Sequence, residues 1–542
     1  MNQPVPNPLT KKQKGFVIFT AALLLMFTIP VVGLAIDAGF MFAVKARLQS
    51  AVDAAALAAA RSLAVGLTIG EQEDSARARA IAFFHANYPA GMFNTYAPDP
   101  VTQVAETAFR TRTVTVTGTV DTPIFFMRMI TNATTTTISA SGKASRRDVN
   151  VILVLDRSGS MNTDGGCAAM VNAAKGFVDL FANQRDRLAM VTYGISYALS
   201  YAPSMNFKTS SPSLPNVIDT ISCSGGTGSA QALFKGYEQI QQINEPGALN
   251  VIIFFTDGIP NTVTADFPVN RLDSTRVADH VSLSGFTSNR TSRCYDWVNG
   301  QRWYRSGYPG TPNPSWNPAA DRQVFRGAVY SQENLPVNGN TLLGIVPFVS
   351  SGFSDPSGSV TYPLDPANGN VAYSGGQTND CWSKSGRGHN GSSLDSAYTG
   401  TDTVQYDIAY YPDNDSYGTS LRPNGGFVTV NNFPVGHPYA GKIDVRDKTN
   451  MMNAAVATLD NVGFRIRNND LGANLNTAVY VIGLADAAIN DGHTRMRRIA
   501  NDPQSPIYNP DKLEGLYVYA PQPADLNEAF VKIAAEILRY AN

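Results

Sequence analysis

Between Gly15 and Ile36 the chain runs GFVIFTAALLLMFTIPVVGLAI, 22 residues without a charge. At about 1.5 Å per helical residue such a run crosses the ~30 Å hydrocarbon core of a bilayer. Pro30 is its only helix breaker. Gly33-Leu34-Ala35 could pass for an export-signal cleavage site, but the apolar core of a cleaved signal is only about 7–15 residues long. Here the run passes directly into a helical pattern, and an uncleaved transmembrane anchor is expected. Lys11, Lys12 and Lys14 precede it and no acid does, which predicts a cytoplasmic stretch 1–14 and an exported remainder beyond about residue 40.

An exported chain reads its cysteines differently from a cytosolic one. Cys167, Cys223, Cys294 and Cys381 form no CxxC pair and have no histidine at zinc-finger spacing, so structural zinc is not expected. Their even number suits two disulfides in an oxidising compartment. Lys+Arg (42) and Asp+Glu (43) cancel, and no basic stripe stands out, which argues against nucleic acid as a partner.

A chain of 542 residues predicts several domains. After the span, Val44, Leu48 and Val52 recur every four residues in an Ala-rich stretch, which predicts a helix protruding to about Leu63. TVTVTGTV at 113–120 and TTTTISASG at 134–142 alternate with period two and predict a small antiparallel sheet. Lys143 to Asp148 (KASRRD) reads as a polar linker.

The Lys-flanked span, Asp37-Ala38-Gly39 and LQSAVDAAALAAARSL up to Leu63 together resemble the N-terminal region of TadE- and TadG-like proteins of Flp (tight-adherence) pilus assembly. Pilin-type precursors of that system carry a glutamate a few residues after the processing glycine. Thr20 stands at the fifth position after Gly15 and the span contains no Glu. The resemblance therefore implies an unprocessed, TadG-like protein rather than a TadE-like one.

From Val149 onward the pattern becomes that of a doubly wound α/β domain. Near-continuous apolar strands are expected at 150–155, 187–193, 250–255, 477–484 and 515–520, with helices at 167–183, 229–243, 445–461 and 524–540. Residues 261–441 break the rhythm, being rich in Gly, Pro, Asn, Ser and Tyr. This stretch holds Trp297, Trp303, Trp316 and Trp382, an aromatic content unlike that of disordered segments, and reads as a loop-rich ordered insertion. The expected division is 1–14 cytoplasmic, 15–36 transmembrane, 37–147 helix plus small β region, 148–261 with 442–542 as the α/β domain, and 262–441 as its insertion.

Directly after VILVL comes Asp156-Arg157-Ser158-Gly159-Ser160. A tight turn at the carboxyl end of a central parallel strand can aim its three oxygen side chains at one point of the ligand-binding crevice. Oxygen ligands suit a hard cation such as Mg²⁺. The competing reading is a helix N-cap turn. The sequence resembles the DxSxS signature of von Willebrand factor A (vWA) domains, whose metal-ion-dependent adhesion site lies at that end of the sheet. Ser224-Gly225-Gly226-Thr227 resembles the family's threonine loop, and Thr256-Asp257-Gly258 its TDG loop. The resemblance implies Asp156, Ser158, Ser160, Thr227 and Asp257 as the ligands of Mg²⁺, or of Mn²⁺ or Ca²⁺, with water completing the shell. Loops that converge on one metal would also bring Cys167 near Cys223, leaving Cys294 to pair with Cys381.

No general base or nucleophile accompanies these residues, so an enzyme is not expected. His85, His280, His389, His437 and His493 are scattered, and Asp413-Asn414-Asp415 lacks the closing Glu of a calcium loop. The expected function is metal-dependent binding of a partner's acidic residue by an inner-membrane component of a Flp/Tad pilus or secretion machine, its bulk periplasmic or at the cell surface. The alternative is a cell-surface adhesin for an external protein or glycan.

Overall fold

The computed structural model describes residues 11–128, 132–245 and 247–268, the segments 295–298, 301–304, 324–337 and 340–347, and 410–541 apart from 426–427, 438, 445–446, 448, 473–474 and 486–490. The chain forms two compact units that divide between Arg147 and Asp148.

The first unit is built on helix α1 (Lys11–Ser62), which runs through Pro30 without a break in the helical assignment. Among the described residues it is the one helix long and apolar enough to cross a membrane. From Ile18 to Ile36 its large apolar side chains are exposed around the helix, whereas Val44, Leu48, Val52, Ala55 and Ala59 form a buried stripe. That stripe packs on α2 (Ile69–Asn87) and on the sheet β1 (Val101–Ala108), β2 (Thr111–Pro123) and β3 (Thr135–Arg147), joined antiparallel in the order β1-β2-β3. Thr68 and Glu71 start α2 with a reciprocal capping box. Val114, Val116 and Val120 of β2 point to the helices from even-numbered positions, the one face that the pleat allows.

The polar linker expected at Lys143–Asp148 is instead strand. β3 continues to Arg147, with Arg146 opposite Arg112. Both arginines are buried, and Arg112 spends its guanidinium on Gln72 Oε1 (3.0 Å) and the Leu63 carbonyl (3.3 Å). Long cationic side chains inside a sheet are invisible to a polarity pattern when helix-end acceptors receive them. Asp148 is buried as well and pairs with Arg185 at 2.7 Å.

The second unit contributes β4 (Val149–Asp156), α3 (Gly166–Asp179), β5 (Arg187–Tyr193), β6 (Tyr197–Ser204), α4 (Leu214–Asp219), α5 (Ser229–Ile243), β7 (Leu249–Thr256) and β8 (Thr262–Pro268). There follow β9 (Tyr295–Val298), β10 (Gln301–Tyr304), β11 (Val324–Val337), β12 (Asn340–Pro347), α6 (Asn450–Arg467), β13 (Thr477–Leu484), α7 (Gly492–Ala500), β14 (Tyr517–Ala520) and α8 (Leu526–Ala541). The main sheet runs β14-β13-β7-β4-β5-β6, parallel except for the edge strand β6. Leu153, Leu155, Ile253 and Phe255 face α3 and α8, while Ile152, Val154, Ile252 and Phe254 face α5, α6 and α7. Both sides of each central strand are therefore buried, which is why the strands read as unbroken apolar runs.

The expected insertion begins with β8, which joins β11 and β12 in a second antiparallel sheet. Val263, Ala265 and Phe267 pack with Tyr411, Leu421, Phe433 and Ile443 against Met451, Ala454 and Ala455 of α6. Ile443 and α6, expected in the α/β domain, thus share one apolar cluster with residues of the expected insertion. Cys294, Trp316, Cys381, Trp382, His280 and His389 lie outside the described residues.

Candidate metal centre

Parallel pairing of β4 with β5 and β7 brings three loops to one end of the sheet. Asp156 is the last residue of β4, and Asp257 follows the last residue of β7. The Ser158 amide donates to Asp156 Oδ1 at 2.8 Å, which closes the turn after β4. Asp257 Oδ1 accepts from the Ser160 hydroxyl at 2.9 Å and from Ser158 Oγ at 3.3 Å, and the two serine oxygens are 3.0 Å apart. Asp156 and Ser158 are buried while Ser160 is exposed, so the cluster opens to solvent on the Ser160 side. Four of the five expected ligands therefore share one hydrogen-bonded cluster.

Thr227 joins through its loop rather than through its hydroxyl, which makes no hydrogen bond to the other four. The Gly159 amide donates to the Gly225 carbonyl (2.8 Å) and the Ser224 amide to that of Arg157 (2.7 Å). Gly225 takes φ +85°, and a Cβ there would lie 2.8 Å from the Ile195 side chain, so this close approach requires glycine. Asn261 locks the arrangement: its Oδ1 accepts from the Thr227 amide at 2.7 Å, and its own amide donates to the Thr227 carbonyl at 3.1 Å.

Asn261 and Thr256 belong to the candidate site, and sequence reasoning gave neither a role there, although the TDG loop includes Thr256. Thr256 Oγ1 donates to Asp156 Oδ2 at 3.0 Å. The strand-exit run FTDGIPN contains both residues, but neither reciprocal bond can be read from spacing. Tyr193 lies behind the carboxylates and donates its hydroxyl to the Phe255 carbonyl at 2.7 Å. The expected disulfide Cys167–Cys223 is present, with a Cα–Cα distance of 6.1 Å. It ties the start of α3 to the loop that leads to Thr227.

Burial, and then the Asp156 charge, push the Asp257 carboxyl up to about 8; burial likewise raises Asp156. Among the described residues neither carboxylate has a Lys or Arg partner. Arg157 donates to the Ser222 carbonyl instead, at 3.2 Å. Two buried acids without a cation, surrounded by hydroxyl oxygens, form an all-oxygen donor set suited to a hard divalent ion.

The other acidic cluster has a different character. Asp413 pairs with Arg422 and Lys442, and Asp415 Oδ1 accepts the Tyr417 and Thr419 amides. Their oxygens hold the chain's own donors.

Residues 150–287 match the family model of the von Willebrand factor type A domain. Residues 15–62 match the model of Flp pilus-assembly TadE/G-like proteins. The chain thus joins a TadE/G-like N-terminal segment to a vWA domain, as a TadG-like protein does. No curated protein matches. Similar solved structures include the vWF domain of the type V pili tip protein Mfa5 from Porphyromonas gingivalis, at 15% identity over 74% of this chain and 98% of that one (TM-score 0.32). The PilB minor pilin from Streptococcus sanguinis is 14% identical over 83% of this chain and 80% of its own (TM-score 0.32). Manganese-loaded TRAP from Plasmodium vivax is 21% identical over 21% of this chain and 48% of its own (TM-score 0.20).

Proposed function

We propose that this chain is a single-pass inner-membrane component of a Flp/Tad-type pilus or secretion machine. Residues 1–14 are cytoplasmic, 15–36 span the membrane, and the rest lies in the periplasm or at the cell surface. Its vWA domain (148–261 with 442–542) captures a protein partner through a divalent cation held by Asp156, Ser158, Ser160, Thr227 and Asp257. The observation that carries this reading is the convergence of two buried carboxylates with serine hydroxyls, neither carboxylate being paired with a Lys or Arg among the described residues. Mg²⁺ is the first candidate, with Mn²⁺ and Ca²⁺ sharing the preference for oxygen. A bound cation would supply an open coordination position for an acidic side chain of the partner.

This chain's own residues do the positioning. The Ser158 amide and the Thr256 hydroxyl fix the Asp156 carboxylate, and Asn261 fixes the threonine loop. Exposed Ser160 marks the approach. The insertion at 262–441 leaves the domain beside the site and is the proposed source of partner specificity. Binding rather than catalysis is the proposed role.

Capture from solubilised membranes, with Mg²⁺ or with EDTA and read by mass spectrometry, tests the proposal. Machine components retained only with Mg²⁺ by wild type, and not by Asp257→Ala, are expected. Capture indifferent to both would overturn the metal-dependent reading.

A further inference from the structure

The packing stripe of α1 does not stop where the apolar run stops. Below Val44 it continues on the same face through Asp37 to Gly33, both buried. What covers them is the chain that follows β2. The Asp37 carboxylate accepts three successive backbone amides, those of Phe125 (3.1 Å), Phe126 (2.9 Å) and Met127 (2.7 Å). A Cβ on Gly33 would lie 2.7 Å from the Phe126 side chain, so glycine is what lets this loop close on the helix. Gly33 is one turn inside the uncharged run, about 4–6 Å before its end at 1.5 Å per residue.

The loop's own surface is apolar. Phe125 is 46% exposed and Phe126 37%, and on the helix Phe42 is 76% exposed. Phe40 packs edge-on against both Phe125 (5.3 Å) and Phe93 (5.9 Å). Phe93 holds a left-handed backbone (φ 53°), a conformation that is strained for a side-chain-bearing residue and is kept only where the surroundings impose it. After Asp37, whose charge is satisfied by the three amides, the next charge on α1 is Lys45.

We infer that the loop 124–127 is a second membrane contact, seating Phe125 and Phe126 in the outer boundary of the bilayer beside α1. The occupant of this apolar face is lipid, because the face is continuous with the span and reaches one turn into it. Apolar side chains at that depth gain by leaving water, Asp37 is supplied with three donors, and exposed Arg128 just after the loop is a long side chain that can reach the headgroup region. The helix would then enter the membrane with a collar that fixes its depth and limits its swivel.

The inference rests on the membrane reading of α1, and the test separates the two. A photoreactive benzophenone amino acid is placed at Phe125 or Phe126 in the full-length chain in phosphatidylethanolamine–phosphatidylglycerol vesicles. Phe27, within the span, reports on the span itself. Phe109, an exposed residue in the turn before β2, is the distal control; the 13-residue strand separates the two ends by about 40 Å. Lipid adducts are expected from 125, 126 and 27 but not from 109. Asp37→Ala should lower adduct formation from 126 several-fold and leave that from 27 unchanged. Adducts from 27 alone, or adducts from 125 and 126 to a second copy of the chain, would overturn the proposal. Loss of adducts from 27 as well would overturn the membrane reading beneath it.

Discussion

Asp156 and Asp257 come from the ends of two adjacent parallel strands and are joined through one residue, Ser158. Its amide binds the first carboxylate and its hydroxyl contacts the second at 3.3 Å. The fold therefore forces two acids together in a buried place and gives them hydroxyls instead of cations. Such a pair weakens the metal-free protein. Asp257→Asn removes the like charge while keeping an acceptor for Ser160. It should stabilise the protein in EDTA by roughly 1–3 kcal/mol. Thermal melts check this: Mg²⁺ should raise the wild-type midpoint and leave that of the variant unchanged.

Asn261 should matter more than its position in a loop suggests. Asn261→Ala leaves the Thr227 amide without its acceptor in a tightly packed site, at a cost of about 1–3 kcal/mol. Because the same residue sets the threonine loop, metal affinity should fall together with stability, whereas an exposed change such as Leu513→Ala should alter neither.

The disulfide closes a loop with a sequence separation of 56. In the chain-entropy model a loop of that length corresponds to about 4 kcal/mol. Replacing Cys167 and Cys223 together with serine should lower unfolding stability by an amount of that order. Urea unfolding of oxidised protein, reduced protein and the double variant measures it. Equal stability of all three would mean that the bond constrains nothing in the unfolded chain.

Burial pushes the Asp415 carboxyl up to about 6, although Gln231, Thr419 and Tyr417 donate to it. The folded state then holds this proton more tightly than the unfolded chain, whose carboxyl titrates near 3.9. Ionisation between pH 4 and 6 accordingly destabilises the fold, by about 3 kcal/mol once complete. Gln231 Oε1 has no partner among the described residues, so rotating that amide would accommodate an asparagine. Asp415→Asn should thus gain stability relative to wild type as the pH rises through this window. A difference that stays flat from pH 4 to 7 would contradict the raised carboxyl.

The parts of the fold legible in the sequence are those whose burial is symmetrical or repeated. β13 lies at the expected residues and β4, β5, β7 and α5 lie within a residue or so, because doubly covered strands must be apolar throughout and α5 is amphipathic. Edge strand β6, YALSYAPS, faces a neighbour on one side only and has no clean period. Helix α7 has no apolar period to predict it, since its sequence, GHTRMRRIA, is polar; Arg495 and Arg498 are nonetheless buried, and Arg498 reaches Asp460 at 2.6 Å. Asp156, Ser158, Ser160 and Asp257 lie at or just after the ends of β4 and β7, where topology alone brings them close, whereas Thr227 lies in the loop before α5. What the sequence could not display is the backbone stitching by Asn261, Thr256 and the glycine loop, since it depends on which loops meet.

The central claim is that Asp156, Ser158, Ser160, Thr227 and Asp257 hold a divalent cation. Isothermal calorimetry of Mn²⁺ and Mg²⁺ binding to the detergent-solubilised full chain tests it most directly, using wild type, Asp156→Ala and Thr227→Ala, with circular dichroism confirming that each variant is folded. One saturable site in wild type, lost in Asp156→Ala and weakened at least tenfold in Thr227→Ala, is the predicted result. Binding of equal affinity and stoichiometry in all three folded proteins would contradict it.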